Sequence, residues 1–285
     1  MVFSIFSIGC SHNERHPERP SKVPVERHHF DELPLQTRKF KDGSSPKYKV
    51  LIDKEEITVL LFFLKSGEEI PLHTHSVDKA IYVYNGNPEI LIKEKMTPTV
   101  TGDSLLIPKN SGVKIKNTNK GEAKIFFFFS KGFLNSLAFQ SPKEDSDKTG
   151  MKNVFYKEKD VPWENWDGKL PLGSKPTPLA WKTIIDNDTM VMGITKIDPG
   201  YDVDSHYHRP TQIVIFSDGE GKTHVENGEY KEIKKDSYIY PPTYTMHHSI
   251  NTHKKKPLME IYFFPLGPFA KIKYLGKGVN YYEKK

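Results

Sequence analysis

Six landmarks recur along this chain at a single offset, and that repeat limits its folding more than any other feature. Gly67, His73, His75, Gly86, Asp103 and Pro108 are matched by Gly200, His206, His208, Gly219, Asp236 and Pro241, every pair 133 residues apart. The surrounding strings agree as well: Gly102-Asp-Ser-Leu-Leu-Ile-Pro108 lies opposite Lys235-Asp-Ser-Tyr-Ile-Tyr-Pro241. Past Pro241-Pro242 the offset becomes 134, pairing Asn117 with Asn251 and implying one inserted residue. Agreement at this many positions means two copies of one structural unit in tandem.

Each copy reads as β structure. The apolar residues fall in short runs: Thr58–Leu64, Ala80–Tyr84, Lys124–Phe129, Gln212–Phe216, Ser237–Tyr240 and Met259–Phe264. These runs have strand length, are rich in β-branched and aromatic residues, and are bounded by Gly, Pro or Asn, which predicts an all-β fold. No stretch approaches the ~20 apolar residues that a transmembrane helix needs. The net charge of +6 comes from lysines spread along strands and turns, with the densest run at Lys254-Lys255-Lys256. Basic patches interleaved with stacking aromatics are not evident, so a nucleic-acid partner is not expected.

The most informative chemistry lies in the second copy. On a strand, side chains alternate between faces, so His206, His208 and Gln212 share parity and can point the same way. A third imidazole, His247, follows on a Pro-rich stretch. Three imidazoles and a carboxamide oxygen facing one interior suit a first-row transition metal.

The spacing resembles the cupin superfamily. The first cupin motif is a Gly, five residues, His-x-His, three residues, usually Glu, and a Gly seven residues on; here it is Gly200, His206, His208, Gln212 and Gly219. The second motif is matched by Asp236, Pro242, His247 and Asn251. The resemblance covers roughly residues 45–130 and 180–265. It implies two tandem antiparallel jelly-roll barrels, a bicupin, with any metal held inside a barrel near one mouth. Carried over by residue, the ligands would be His206, His208, Gln212 and His247, with Gln in place of Glu. The first copy would offer His73 and His75, but has Lys79 at the Glu position and Val113, or Lys114 if the loop shifts, at the second-motif His. A protonated lysine has no lone pair for a metal, so that barrel is expected to be a degenerate, structural copy. A sharper alternative has the Lys79 ammonium standing where a metal would, making an anion site.

The Gln substitution bears on the reaction. Neutral ligands leave the charge of one divalent ion (Mn, Fe, Zn or Ni) uncompensated, which favours polarising a carbonyl or water over donating electrons to dioxygen. The resemblance extends to manganese-dependent lyases and sugar-acid-processing enzymes with a Gln in this set. The expected function is therefore lyase- or isomerase-type Lewis-acid chemistry on a small oxygen-rich molecule. Two alternatives stay open: a non-catalytic binding or sensor protein, and an iron-dependent dioxygenase.

Other residues carry narrower expectations. His224 shares parity with Glu220 and Lys222 and is the candidate general base, against a reading as an exposed residue on a hairpin closed by Asn227-Gly228. His248 is expected at the surface and Tyr207 pointing away from the site. Tyr240, with Tyr238, is read as core or cavity lining, and Tyr244 and Met246 as ligand contacts on the loop before His247. Trp163 and Trp166 are expected to pack on the second barrel or seal the junction between barrels.

The expected partition is an N-terminal apolar segment and tether (1–28), barrel 1 (29–140), a polar linker (141–152) and barrel 2 (153–285), with a short helix over Lys131–Phe139. The lone cysteine, Cys10, excludes an intrachain disulfide. It follows an apolar stretch in the manner of a lipoprotein lipobox. That suggests a lipid anchor and a bacterial membrane location, against an incidental Cys in a cytoplasmic protein; homo-oligomerisation is a further expectation.

Overall fold

In a computed structural model, the described residues are 26–137, 139–143, 146–165, 167–225, 230–269, 272 and 274–275. Cys10, Trp166 and the Asn227-Gly228 turn, for which expectations were given, lie outside them. Among the described residues the structure is β throughout, interrupted by two single-turn 3-10 helices, Phe30–Glu32 and Glu158–Asp160. No described helix is long and apolar enough to cross a membrane.

The strands form four antiparallel sheets that stack in two pairs. The first barrel closes a seven-stranded sheet, including Lys47–Asp53, Thr58–Leu64, Lys79–Asn85 and Ala123–Phe129, over a four-stranded one that includes Glu69–His73 and Val113–Lys116. The second closes an eight-stranded sheet, including Leu179–Asp186, Val191–Ile197, Ile213–Asp218 and Leu258–Phe264, over a five-stranded one that includes Asp202–His208 and His247–Asn251. These are two tandem jelly-roll barrels, as the repeat predicts.

Strand alternation divides each barrel's residues between two cores. Along Ala123–Phe129, Ile125, Phe127 and Phe129 face the interior of the first barrel, while Phe126 and Phe128 face outward into a core shared by both barrels. In Leu258–Phe264, Ile261 and Phe263 take the same outward role. Phe128 stacks on Phe263 across the junction at a centroid distance of 5.0 Å. Burial of these aromatic rings is the main force joining the barrels.

The chain does not simply finish one barrel before starting the next. Glu26–His29 lies within the stretch expected to be tether and first barrel. It pairs with Ser237–Tyr240 at the edge of the second barrel's large sheet. Reciprocally, Val154–Tyr156 pairs with Ser104–Ile107 of the first. The predicted linker is also bound to the first barrel: Asp147 bridges Ser111, and the Asn153 amide donates to the Gly112 carbonyl at 2.9 Å. Backbone groups along sheet edges need partners, and these segments provide them. Nor is there a helix at Lys131–Phe139. The described part is a turn, in which the Ser136 and Leu137 N–H groups both donate to the Phe133 carbonyl.

Candidate metal centre

The second barrel brings His206, His208 and His247 together. His206 and His208 lie on Asp202–His208, and His247 opens the adjacent antiparallel strand directly opposite His206. One ring nitrogen from each lies within 4.8 Å of those of the other two. His208 and His247 are fully buried, and His206 is half-buried.

The local backbone fixes which nitrogen of each ring can bind a cation. Nδ1 of His206 lies 2.7 Å from the Asp204 carbonyl oxygen, Nδ1 of His208 2.6 Å from that of Pro210, and Nδ1 of His247 2.9 Å from that of Thr245. A carbonyl only accepts, so each ring carries its proton on Nδ1 and leaves the Nε2 lone pair for another partner. Burial lowers all three imidazole pKa values, to about 4 for His206, to about 3 for His208, and well below normal for His247. The rings are therefore neutral near pH 7, the form that ligates metals.

Gln212, just before strand Ile213–Asp218, completes the set. Its Oε1 lies 3.0 Å from His208 Nε2 and 2.9 Å from His247 Nε2. In that tautomer two nitrogen lone pairs meet an oxygen lone pair. The convergence is satisfied by a cation among them, or by the amide turned to donate through its NH₂. The donor set thus fits a metal ion.

A cavity of about 300 Å³ adjoins His206, Gln212 and His247. Most of its wall is apolar, with Trp181, Val203, Val214, Tyr262, Phe269 and Ile272 contributing. The repeat shows how the space arises. In the first barrel Leu60 pairs with Phe127 and Phe62 with Ile125; at the equivalent places in the second, Gly193 pairs with Tyr262 and Thr195 with Glu260. Replacing Leu and Phe by Gly and Thr empties the barrel centre. At Gly193, any Cβ would collide with the Tyr262 hydroxyl and the Lys182 carbonyl.

Glu260 is the cavity residue that sequence reasoning missed. It lines the same cavity, is 5% exposed, and its Oε1 has no hydrogen-bond partner. Burial pushes its carboxyl up to about 7, opposed by a hydrogen bond from Ser249, which also lines the cavity. The available signal was a lone acid at inward parity inside the apolar run Met259–Phe264.

Several expected roles fall elsewhere. His224 lies opposite His248 in register, and His248 follows His247 on its strand, so both face away from the cavity. The His224 ring packs on Tyr230 at 4.9 Å. It is not a cavity base. His248 is not a surface residue either: it is buried, with Nε2 2.9 Å from Asp202 Oδ2 and Nδ1 3.2 Å from the Tyr230 hydroxyl. Tyr240 belongs to the core between barrels and donates to Glu56 Oε1 at 2.7 Å, so it is no ligand contact. Tyr244 donates its N–H to the His208 carbonyl at 2.9 Å, but neither it nor Met246 is part of the cavity wall. Tyr207 is half-buried and Trp163 packs against the shared core.

In the first barrel, Val113 pairs with His73 as His247 pairs with His206, which settles the position in favour of Val113; Lys114 instead pairs with Glu69 at 3.0 Å. His73, His75 and Lys79 are all buried, and the Phe139 ring lies 4.4 Å from that of His75 and 4.9 Å from that of His73.

Comparison with known proteins agrees with the architecture. Residues 60–129, in the first barrel, match the family model of the cupin domain. Solved structures align over most of the chain, across both barrels. A single-site variant of the oxalate decarboxylase of Bacillus subtilis matches with a TM-score of 0.60 and 16% identity, covering 87% of this chain and 79% of that one. The formate complex of the Lactobacillus farciminis enzyme gives 0.64 and 13%, covering 90% and 89%. A further B. subtilis structure, studied for its Mn(II) centres, gives 0.62 and 15%, covering 91% and 81%. At these identities the likeness is one of fold. No curated protein matches the chain by sequence.

Proposed function

We propose that the second barrel is a metal-dependent active site for a small molecule with an oxygen donor at one end and an apolar body. His206, His208 and His247 hold one divalent transition ion through Nε2, and Gln212 Oε1 is the fourth donor. Once bound, the ion supplies Lewis-acid polarisation of a coordinated carbonyl or water. Manganese is the first ion to test, because the B. subtilis enzyme of the same fold has Mn(II) centres.

The observation that carries this reading is a set of neutral, carbonyl-anchored imidazoles sharing one cavity with a buried carboxyl group, one of whose oxygens has no hydrogen-bond partner. Glu260 is the general acid–base: buried beside the reacting end, with a pKa raised to about 7, it holds or releases a proton near neutral pH. Ser249 orients it. The Asp204, Pro210 and Thr245 carbonyls orient the imidazoles, as outer-shell acceptors do in metal sites. Trp181, Tyr262, Phe269 and Ile272 exclude water from the substrate's apolar part.

The cavity's character narrows the expected substrate. An oxygen-rich molecule would leave most of its polar groups against apolar walls. Among the described residues of the wall there is no lysine or arginine, and an ionised Glu260 repels dianions, which speaks for a substrate other than a dicarboxylate. Proton transfer in an isomerisation or lyase-type reaction fits better.

The test is metal analysis of the purified full chain beside His206→Ala, then turnover of small carbonyl and hydroxy compounds by the loaded protein and by Glu260→Gln. Near-stoichiometric metal lost in His206→Ala, with turnover lost in Glu260→Gln, supports the proposal. Metal without any turnover would favour a binding or sensor protein, and oxygen uptake with iron would favour a dioxygenase. Metal content unchanged by His206→Ala would refute the site itself.

A further inference from the structure

The first barrel contains a second polar cluster with no role in that chemistry. Lys79 opens strand Lys79–Asn85 with its side chain directed into the barrel, 0% exposed. Its Nζ has no hydrogen-bond partner, and neither do both ring nitrogens of His75 and Nε2 of His73, all of them buried. The surroundings are aromatic: Phe129 meets His75 edge-on at 4.9 Å, Phe127 stacks on His73 at 6.1 Å, and Phe139 covers both imidazoles.

Among the described residues, no side chain makes a hydrogen bond or ion pair with an ammonium at this place. Asp78, whose charge is the one that favours protonated Lys79, spends its oxygens elsewhere, accepting from the Lys109 N–H at 2.7 Å and the Thr189 hydroxyl at 3.1 Å. Arg38, 4.5 Å above the Phe139 ring, adds another positive charge that acts on both histidines. An unpaired buried ammonium is among the most expensive arrangements in a protein core. Burial accordingly lowers the Lys79 pKa to about 7, so that the neutral amine is an accessible form at pH 8. A desolvated neutral amine is a nucleophile.

We propose that Lys79 is a carbon dioxide-binding residue, its Nζ forming a carbamate that His73 and His75 hold inside the first barrel. In the addition, the Nζ lone pair forms a C–N bond to CO₂ and one C=O π pair moves onto oxygen. The nitrogen then loses a proton to an open ring nitrogen of His75. The product is a carbamate–imidazolium pair with no net charge, and no oxidant or reductant is involved. One of its oxygens accepts from the protonated nitrogen of His75, and its remaining N–H donates to Nε2 of His73, whose own proton lies on Nδ1 against the Pro71 carbonyl at 2.7 Å, so Nζ, His73 Nε2 and one nitrogen of His75 gain partners. It also places a carboxylate where the second barrel has the Gln212 amide.

The environment selects this reactant. Carbon dioxide is small, apolar and uncharged, so it enters an aromatic layer without the desolvation penalty that an anion pays. A cavity of about 180 Å³, lined by Arg38, Phe40, Lys41, His73 and Phe139, reaches the cluster at His73.

The test is ¹³C NMR of the full chain equilibrated with ¹³C-bicarbonate at pH 8, with Lys79→Met alongside. The expected result is one protein carbamate resonance, lost on removing CO₂ and absent from Lys79→Met, with alkylative trapping and peptide mapping placing the label on Lys79. Thermal stability of the native chain should rise with bicarbonate and not with chloride or formate. Absence of the resonance in folded protein, a label on another amine only, or an equal rise in stability with chloride would overturn the proposal. The last outcome would make the cluster an anion site with a charged lysine.

Discussion

Removing the Lys79 amine should stabilise the protein, with a pH signature that identifies the cause. The free side chain titrates at 10.5, whereas in the folded barrel burial lowers this to about 7. At about 1.4 kcal/mol per pH unit, this opposes folding by about 4 kcal/mol at pH 7. The sign follows from which state binds the proton. Between the two pKa values the unfolded chain holds a proton that the folded chain has released, so stability rises with pH. The penalty is full below pH 7, shrinks to about 1 kcal/mol at pH 10, and disappears above 10.5. Methionine is linear, apolar and close in length, so it can occupy the same space among Phe127, Phe129 and Phe139 without a charge. Lys79→Met is therefore expected to gain about 4 kcal/mol at pH 7 and only about 1 kcal/mol at pH 10. In thermal terms that is roughly 2–4 °C for each kcal/mol in a chain of this size. Denaturation of both proteins in CO₂-free buffers at the two pH values measures it. An equal gain at both would mean that packing, not desolvation of charge, is responsible; a loss of stability at pH 7 would show that Lys79 has a partner in the fold.

The second barrel yields further expectations. Glu260 has a folded pKa above its unfolded value, so its contribution is present at low pH and lost as pH rises through about 7; Glu260→Gln should be relatively more stable at pH 8 than at pH 5, by about 2 kcal/mol, in parallel melts. Thr195→Phe restores the residue found at Phe62 and should fill the cavity, abolishing small-molecule binding by calorimetry while the metal content persists. Gln212→Glu should tighten metal binding at least roughly tenfold in chelator competition, because a carboxylate offsets part of the ion's charge. At the junction, Phe128→Ala removes a ring stacked on Phe263 and should cost about 3–5 kcal/mol in denaturant unfolding.

Strand parity and the 133-residue repeat made the barrels and the His206, His208, Gln212 and His247 cluster legible from sequence, because side-chain direction on a strand follows from residue number alone. Parity misled at His224 because it cannot tell which of two faces is inward; pairing with His248 decides that. Tyr240 was ambiguous for a related reason, since both faces of the large sheets are buried, one in a barrel and one between barrels. Glu260 was hidden because an acid within an apolar run reads as an interruption until its neighbours are known. The filling of the first barrel by Phe139 was out of reach, since that residue comes from outside the repeated strands.

The exchange of edge strands makes the two barrels a clasp. Glu26–His29 is held by the second barrel and Val154–Tyr156 by the first, so the connection between them is not what keeps them together. A protein cleaved between the barrels should migrate as one particle. Either repeat expressed up to its sequence boundary would lack a strand belonging to its own sheet and leave an open edge prone to association. The tandem repeat therefore describes how the chain is written, while the unit that can be cut out, transplanted or evolved separately is the interlocked pair.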